Sequence, residues 1–270
     1  MVGAPLSWRE ADVDAGGVWL HLRRLDAPGG GGAPLVLLHG LGVSGAVWQS
    51  FGRRLVPPFT IIAPDLRGHG QSEHPPAGYE PADYARDIDA LLAALQIASA
   101  CIAGHSLGAL VALAVATWHA PRVRALVLID PPLDPARPAR DIETVYRLRH
   151  APPGELERFL SFPLLAPLFR QAGDAPFKAM LAAPPGAPWA WQAAPTIQAP
   201  VLLVQADPER GGVLGDEAAR DFTAHLPHGR RLKLAGAAHA VHASHPVPLA
   251  EAMREFLVDA GGCQVPSSGA

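Results

Sequence analysis

Short, largely apolar runs at residues 35–38, 60–63, 100–103, 125–129 and 201–205 constrain the fold more than any other feature of the chain. Each is too short for a buried helix and lacks the polar–apolar alternation of a half-exposed strand. Runs of this kind suit strands covered on both faces, as in a parallel sheet. The segments between them carry helical patterns. Residues 83–95 place Ile88, Leu91, Leu92 and Leu95 on one stripe. Residues 107–118 are almost wholly apolar, and helices are also expected over 47–55, 216–225 and 248–258. Repeated β-helix-β units imply an α/β fold with a mostly parallel sheet and helices on both faces. Two alternating stretches, 6–12 and 18–25, flank a turn at 14–17 and read as an antiparallel hairpin at the sheet edge. Residues 231–234 supply the last strand.

The rhythm breaks between Pro131 and Pro195. This stretch is rich in proline and carries Tyr146, Phe159, Phe162, Phe169, Phe177, Trp189 and Trp191. Helical patches are expected at 140–149, 154–160 and 175–181. The expected organisation is a core domain of residues 1–131 and 196–260, a helical cap insertion of residues 132–195, and a frayed tail over 261–270. A formal net charge of −3 gives no electrostatic reason to expect nucleic acid or an anionic membrane as partner. No segment reaches the roughly 18 apolar residues of a membrane span, and residues 1–10 lack the pattern of a signal peptide. Cys101 lies in an apolar run and Cys263 in the polar tail, so no disulfide framework is expected, consistent with a reducing cytoplasm. Basic residues that are nearly all arginine, with abundant Ala, Pro and Gly, fit GC-rich coding of the kind most often bacterial.

The chemistry gathers at Gly104-His105-Ser106-Leu107-Gly108, between an expected strand and an expected helix. A strand must reverse into a helix there within very few residues, which the glycines permit and which leaves the Ser106 hydroxyl exposed. A serine needs a base, and His239 in Gly236-Ala237-Ala238-His239 follows the last strand. His242 and His245 follow it at spacings of three and raise a metal site, but no acidic or cysteine ligand is near in sequence, and no metal is expected. The base in turn needs a carboxylate. Asp130, Asp207 and Glu209 all lie at the carboxyl ends of expected parallel strands, where such sheets build their sites. Oxyanion donors are expected at the N–H groups of Leu107 and of Leu41, the latter in His39-Gly40-Leu41-Gly42.

These motifs, together with Asp65-Leu66-Arg67-Gly68-His69-Gly70-Gln71-Ser72, follow one another as they do in the α/β-hydrolase fold family, which the chain resembles from about residue 20 to 257. The resemblance implies an eight-stranded, mostly parallel sheet, a cap over the pocket, and a serine, acid, histidine order along the chain. It departs from the family after the seventh strand, where Ala206 stands in place of a glycine and Glu209 in place of the usual aspartate. Many relatives take the acid from the end of the sixth strand, which favours Asp130 slightly over Asp207, with Glu209 third. The serine at the elbow implies acyl transfer to water without a cofactor. A small or medium carboxylic ester is the leading substrate, and a C–C bond hydrolase, lactonase or lyase is the alternative. A non-catalytic ligand-binding member is the reading from another class. A cytoplasmic monomer or homodimer acting on a small molecule completes the expectation.

Overall fold

The computed structural model describes residues 6–136, 140–160 and 166–260. Its eight strands are β1 (Arg9–Asp14), β2 (Trp19–Leu25), β3 (Ala33–Leu38), β4 (Phe59–Pro64), β5 (Ala100–His105), β6 (Val123–Ile129), β7 (Val201–Gln205) and β8 (Gly229–Lys233). They form one sheet in the order β1-β2-β4-β3-β5-β6-β7-β8. β2 runs antiparallel to both β1 and β4, and every later pairing is parallel. The hairpin and the parallel sheet are thus as the sequence implied.

Helices cover both faces. They include α1 (Trp48–Gly52), α2 (Pro81–Ala94) and α3 (Leu107–Trp118). Between β6 and β7 lie α4 (Arg140–Leu148), α5 (Glu155–Phe159), α6 (Ala166–Gln171), α7 (Asp174–Ala182) and α8 (Pro188–Ala193). The chain then adds α9 (Asp216–His225), α10 (Val241–Ser244) and α11 (Pro246–Asp259). The apolar runs explain the two-sided burial, because successive strand residues point to opposite faces. Val36, Leu38, Ile102 and Leu128 pack with Ile88, Leu91, Val111 and Leu113 of α2 and α3. Leu35, Leu37, Ala103 and Val127 pack on the other side with Trp48, Met253, Phe256 and Leu257.

Three features differ from the sequence reading. The helix expected over 47–55 is a 3₁₀ turn, Gly45–Val47, followed by the single-turn α1. Beyond α1 the Arg54 N–H donates to the Phe51 carbonyl oxygen at 2.9 Å and the Leu55 N–H to that of Gly52 at 3.0 Å, so the chain to residue 55 continues in tighter three-residue turns. The short helices α6, α8 and α10 were not anticipated, since one or two turns carry too few residues to show a period. Cys101, buried in β5, is disulfide-bonded. Linear spacing says nothing about which cysteines meet in space, and the cysteine argument for a reducing compartment lapses. Cys263, with the rest of the expected tail at 261–270, lies outside the described residues, as does Phe162.

The crossing from β5 into α3 fixes the position of everything described below. A Cβ on Gly104 would stand 2.0 Å from the Gly108 carbonyl oxygen, and one on Gly108 would stand 2.3 Å from that of Leu38. Both obstacles are backbone and have little room to yield. Gly108→Ala is expected to destabilise the protein by about 1–3 kcal/mol through overpacking. Urea unfolding would check this, and an unchanged midpoint would show that strand and helix are not in such close contact.

Candidate active site

Ser106 follows the last residue of β5 and precedes the first of α3, with φ 53° and ψ −115°. A non-glycine residue with positive φ is strained, of order 1–3 kcal/mol. Its N–H donates to the Ile129 carbonyl oxygen at 3.0 Å, and the N–H of Asp130 donates to that of Val204 at 2.7 Å. These bonds carry the parallel ladder past the strand ends. They set Ser106 and Asp130 side by side at the carboxyl edge, on neighbouring strands.

Asp130 is fully buried and also has positive φ, 43°. Three donors surround its carboxylate. The Ala206 N–H donates to Oδ1 at 3.3 Å, the Val213 N–H to Oδ2 at 2.9 Å, and His239 Nδ1 to Oδ2 at 2.7 Å. Since a carboxylate can only accept, His239 carries its proton on Nδ1 and leaves Nε2 as the basic nitrogen.

The other acid candidates do different work. Asp207 Oδ1 accepts the Glu209 N–H at 3.0 Å and its Oδ2 the Gly236 N–H at 2.8 Å. These bonds, Gly236 first, hold its carboxyl below the usual range and tie the β7 end to the loop before His239. Glu209 is exposed. The histidines at 242 and 245 also go separate ways. His242 packs its ring 4.5 Å from that of Trp48, and His245 Nδ1 lies 3.2 Å from Ser244 Oγ. Among the described residues no group of three or more potential metal ligands comes together.

The loop after β3 is held from below. His39 is fully buried, its Nδ1 donating to the Gly40 carbonyl oxygen at 2.8 Å and its Nε2 accepting from the Leu66 N–H at 2.9 Å. Because the peptide is planar and trans, fixing the Gly40 carbonyl also fixes the opposite direction of the Leu41 N–H. On the same edge, Leu107 is the first residue of α3, where helix N–H groups have no intrahelical acceptor. Above this loop, a Cβ on Gly42 would meet the ring of Phe169 at 2.4 Å and that of Phe177 at 2.8 Å. Leu41 packs against the cluster that holds Val145, Leu156 and Phe177, so the helical segment between β6 and β7 meets this loop.

With the geometry in place, comparison with known proteins identifies the lineage. The sequence pattern of the family described as alpha/beta hydrolase fold matches residues 33–179, more than half of the chain. The chain belongs to the α/β-hydrolase fold family. It is 40% identical over 118 residues to 2-(acetamidomethylene)succinate hydrolase of Mesorhizobium japonicum, a match covering 44% of this chain and 41% of that protein. It is 40% identical over 110 residues to 2-hydroxymuconate semialdehyde hydrolase of a Pseudomonas species, 37% of each chain. The matched stretches span less than half the length of these relatives. The crystal structure of E-2-(acetamidomethylene)succinate hydrolase superposes with a TM-score of 0.76 at 25% identity, covering 93% of this chain and all of that one. No helix among the described residues is long and apolar enough to cross a membrane.

Sequence reasoning on this α/β-hydrolase gave no role to His105, which packs behind the site. His105 is buried, and its Nε2 donates to the His239 carbonyl oxygen at 2.9 Å. Burial, with His239 and His242 nearby, pushes its pKa well below the ordinary value of 6.5. Burial likewise lowers His39 and His242 to about 4. Only the x position of the elbow motif could have marked His105, and that position carries no rule of its own.

Two outcomes follow. Asp130→Asn should lower kcat by about 10⁴-fold, as expected when a triad histidine loses its correct tautomer, whereas Asp207→Asn and Glu209→Gln should change it little. Equal losses in Asp130→Asn and Asp207→Asn would contradict the placement. The second concerns acid. His39 and His242 stay neutral in the folded protein to about pH 4, while the unfolded chain takes up these protons below 6.5. Their contribution is complete above pH 6.5 and is lost as pH falls toward 4. Urea unfolding across that window should show the decline, shallower in His242→Phe. An equally deep decline in the variant would remove His242 from the account.

Proposed function

We propose that this chain is a serine hydrolase in which Ser106, His239 and Asp130 act as nucleophile, base and acid. The observation that carries the reading is the 2.7 Å bond from His239 Nδ1 to the buried Asp130, beside the strained turn that presents Ser106. Ser106 Oγ attacks the carbonyl carbon of the substrate and passes its proton to His239 Nε2. The resulting oxyanion accepts from the N–H groups of Leu41 and Leu107. Collapse breaks the bond to the leaving group, which takes the proton back from His239. Water, deprotonated by the same nitrogen, then releases the acid and restores Ser106. Asp130 keeps the tautomer and steadies the imidazolium without being protonated itself.

The helices of residues 140–193 act as a cap in this reading, because Phe169 and Phe177 lie against Gly42 and close over the oxyanion loop. The substrate is a small acyl compound. The elbow serine alone suggests an ester, but neither compound in the relatives' names is one. The semialdehyde has no acyl–heteroatom bond to break and favours the C–C bond hydrolase alternative, while the acetamido compound offers an amide. Both names lead away from a plain carboxylesterase, with the same three residues doing the work.

A panel of aryl esters, a vinylogous diketone and N-acyl enamine acids on purified protein tests the choice. The latter two classes should be turned over with at least about tenfold higher kcat/KM, a gap of roughly 1.4 kcal/mol in transition-state binding. A preference for the esters would restore the esterase reading. Ser106→Ala should cut kcat on the best substrate by about 10⁴–10⁶-fold, and near-normal turnover in that variant would remove Ser106 as nucleophile.

A further inference from the structure

We propose that His105 is a positioning residue, a neutral Nε2–H strut that ties the Ser106 elbow to the His239 main chain and braces the loop at Gly40. The proposal rests on the serine-hydrolase reading above and concerns what keeps base and nucleophile in register. His239 sits on a loop that Asp207 ties to the β7 end, its side chain is held by Asp130, and its carbonyl oxygen accepts locally from the Val241 N–H at 2.9 Å. The bond from His105 Nε2 to the same carbonyl oxygen, 2.9 Å across 134 residues of sequence, adds an anchor that reaches the elbow directly. It starts from the residue next to Ser106, so any shift of the elbow carries the base with it.

The tautomer follows from the partner. A carbonyl oxygen cannot donate, so His105 Nε2 bears the proton. Its Nδ1 is buried and has no hydrogen-bond partner. On that side a Cβ on Gly40 would stand 2.9 Å from His105 Nδ1 and 3.3 Å from its Cε1. The bare edge of the ring therefore lies against the backbone of the oxyanion loop, which only glycine allows to come so near. Two further rings lie close to it. The His239 ring lies 4.5 Å away at 48°, and the His242 ring 5.0 Å away at 65°, itself backed by Trp48 at 4.5 Å. The titratable groups around His105 are thus His239 from the loop after β8, His242 from α10, and His39 from the loop after β3. All are histidines, and a proton on His105 would oppose the imidazolium that forms on His239 during turnover.

Two substitutions separate the hydrogen bond from the ring. His105→Gln keeps an N–H that can reach the His239 carbonyl but loses the ring. His105→Phe keeps the flat ring and loses the donor. With urea midpoints recorded for both, His105→Phe should lower kcat about 10–100-fold with KM within twofold, the scale expected when a reacting group is misplaced by about 1 Å. His105→Gln should recover kcat to within about fivefold of the wild type. If the phenylalanine variant keeps its kcat, or glutamine fares worse than phenylalanine, the ring serves packing alone and the strut is overturned. Nitrogen NMR of ¹⁵N-histidine-labelled wild type at neutral pH, with His105 assigned through His105→Gln, gives a readout independent of turnover. A protonated Nε2 and bare Nδ1 are expected, and any other state overturns the proposal even if His105→Phe fails to fold. Ser106→Ala, assayed alongside, keeps the two claims apart. Turnover that survives it overturns the nucleophile reading, whereas turnover lost in it but unchanged in His105→Phe overturns the strut.

Discussion

The site depends on a carboxylate that is fully buried. Burying an ionised group is costly unless hydrogen bonds replace its hydration. Asp130 meets that condition with two backbone N–H groups and the His239 ring. The two N–H groups come from the β7 end and the loop following it, so the carboxylate joins β6, β7 and the loop after β8. Its positive φ is retained because these three partners over-determine it. His239 is therefore held in one tautomer and one direction before any substrate arrives.

A comparable logic runs through the neighbouring loops. Asp65, also fully buried, accepts from Arg23 at 2.7 Å, from the Gly45 N–H at 2.7 Å and from the Gln71 N–H at 2.9 Å. It thereby locks the loop after β4 against β2 and against the 3₁₀ turn that precedes α1. His39 then links that loop, through Leu66, to the Gly40 carbonyl. Each buried polar side chain secures backbone groups that cannot be satisfied within strands or helices, as a buried loop requires. The candidate oxyanion donors thus rest on a polar framework rather than on a glycine turn alone.

Much of this was legible in the sequence because it follows from local rules. Apolar runs gave the parallel strands, and Gly104 and Gly108 marked a turn too tight for side chains. The choice among Asp130, Asp207 and Glu209 was not legible. All three end or follow parallel strands, and only the sheet order shows that Asp130 stands on the strand beside Ser106 while Asp207 stands one strand further away. His105 was invisible for a related reason. Its partner, the His239 carbonyl, is a backbone group that any residue would carry, so no side-chain pattern could announce it. The disulfide at Cys101 is likewise a fact of space rather than of spacing.

The central claim is that Ser106 is a nucleophile activated by His239 and Asp130. The most direct measurement is reaction of the purified protein with a fluorophosphonate, with the modified residue located by peptide mass spectrometry. One adduct on Ser106, absent in Ser106→Ala and formed far more slowly in Asp130→Asn, is the expected result. An adduct on another residue, or none in a protein that turns over substrate, would contradict it.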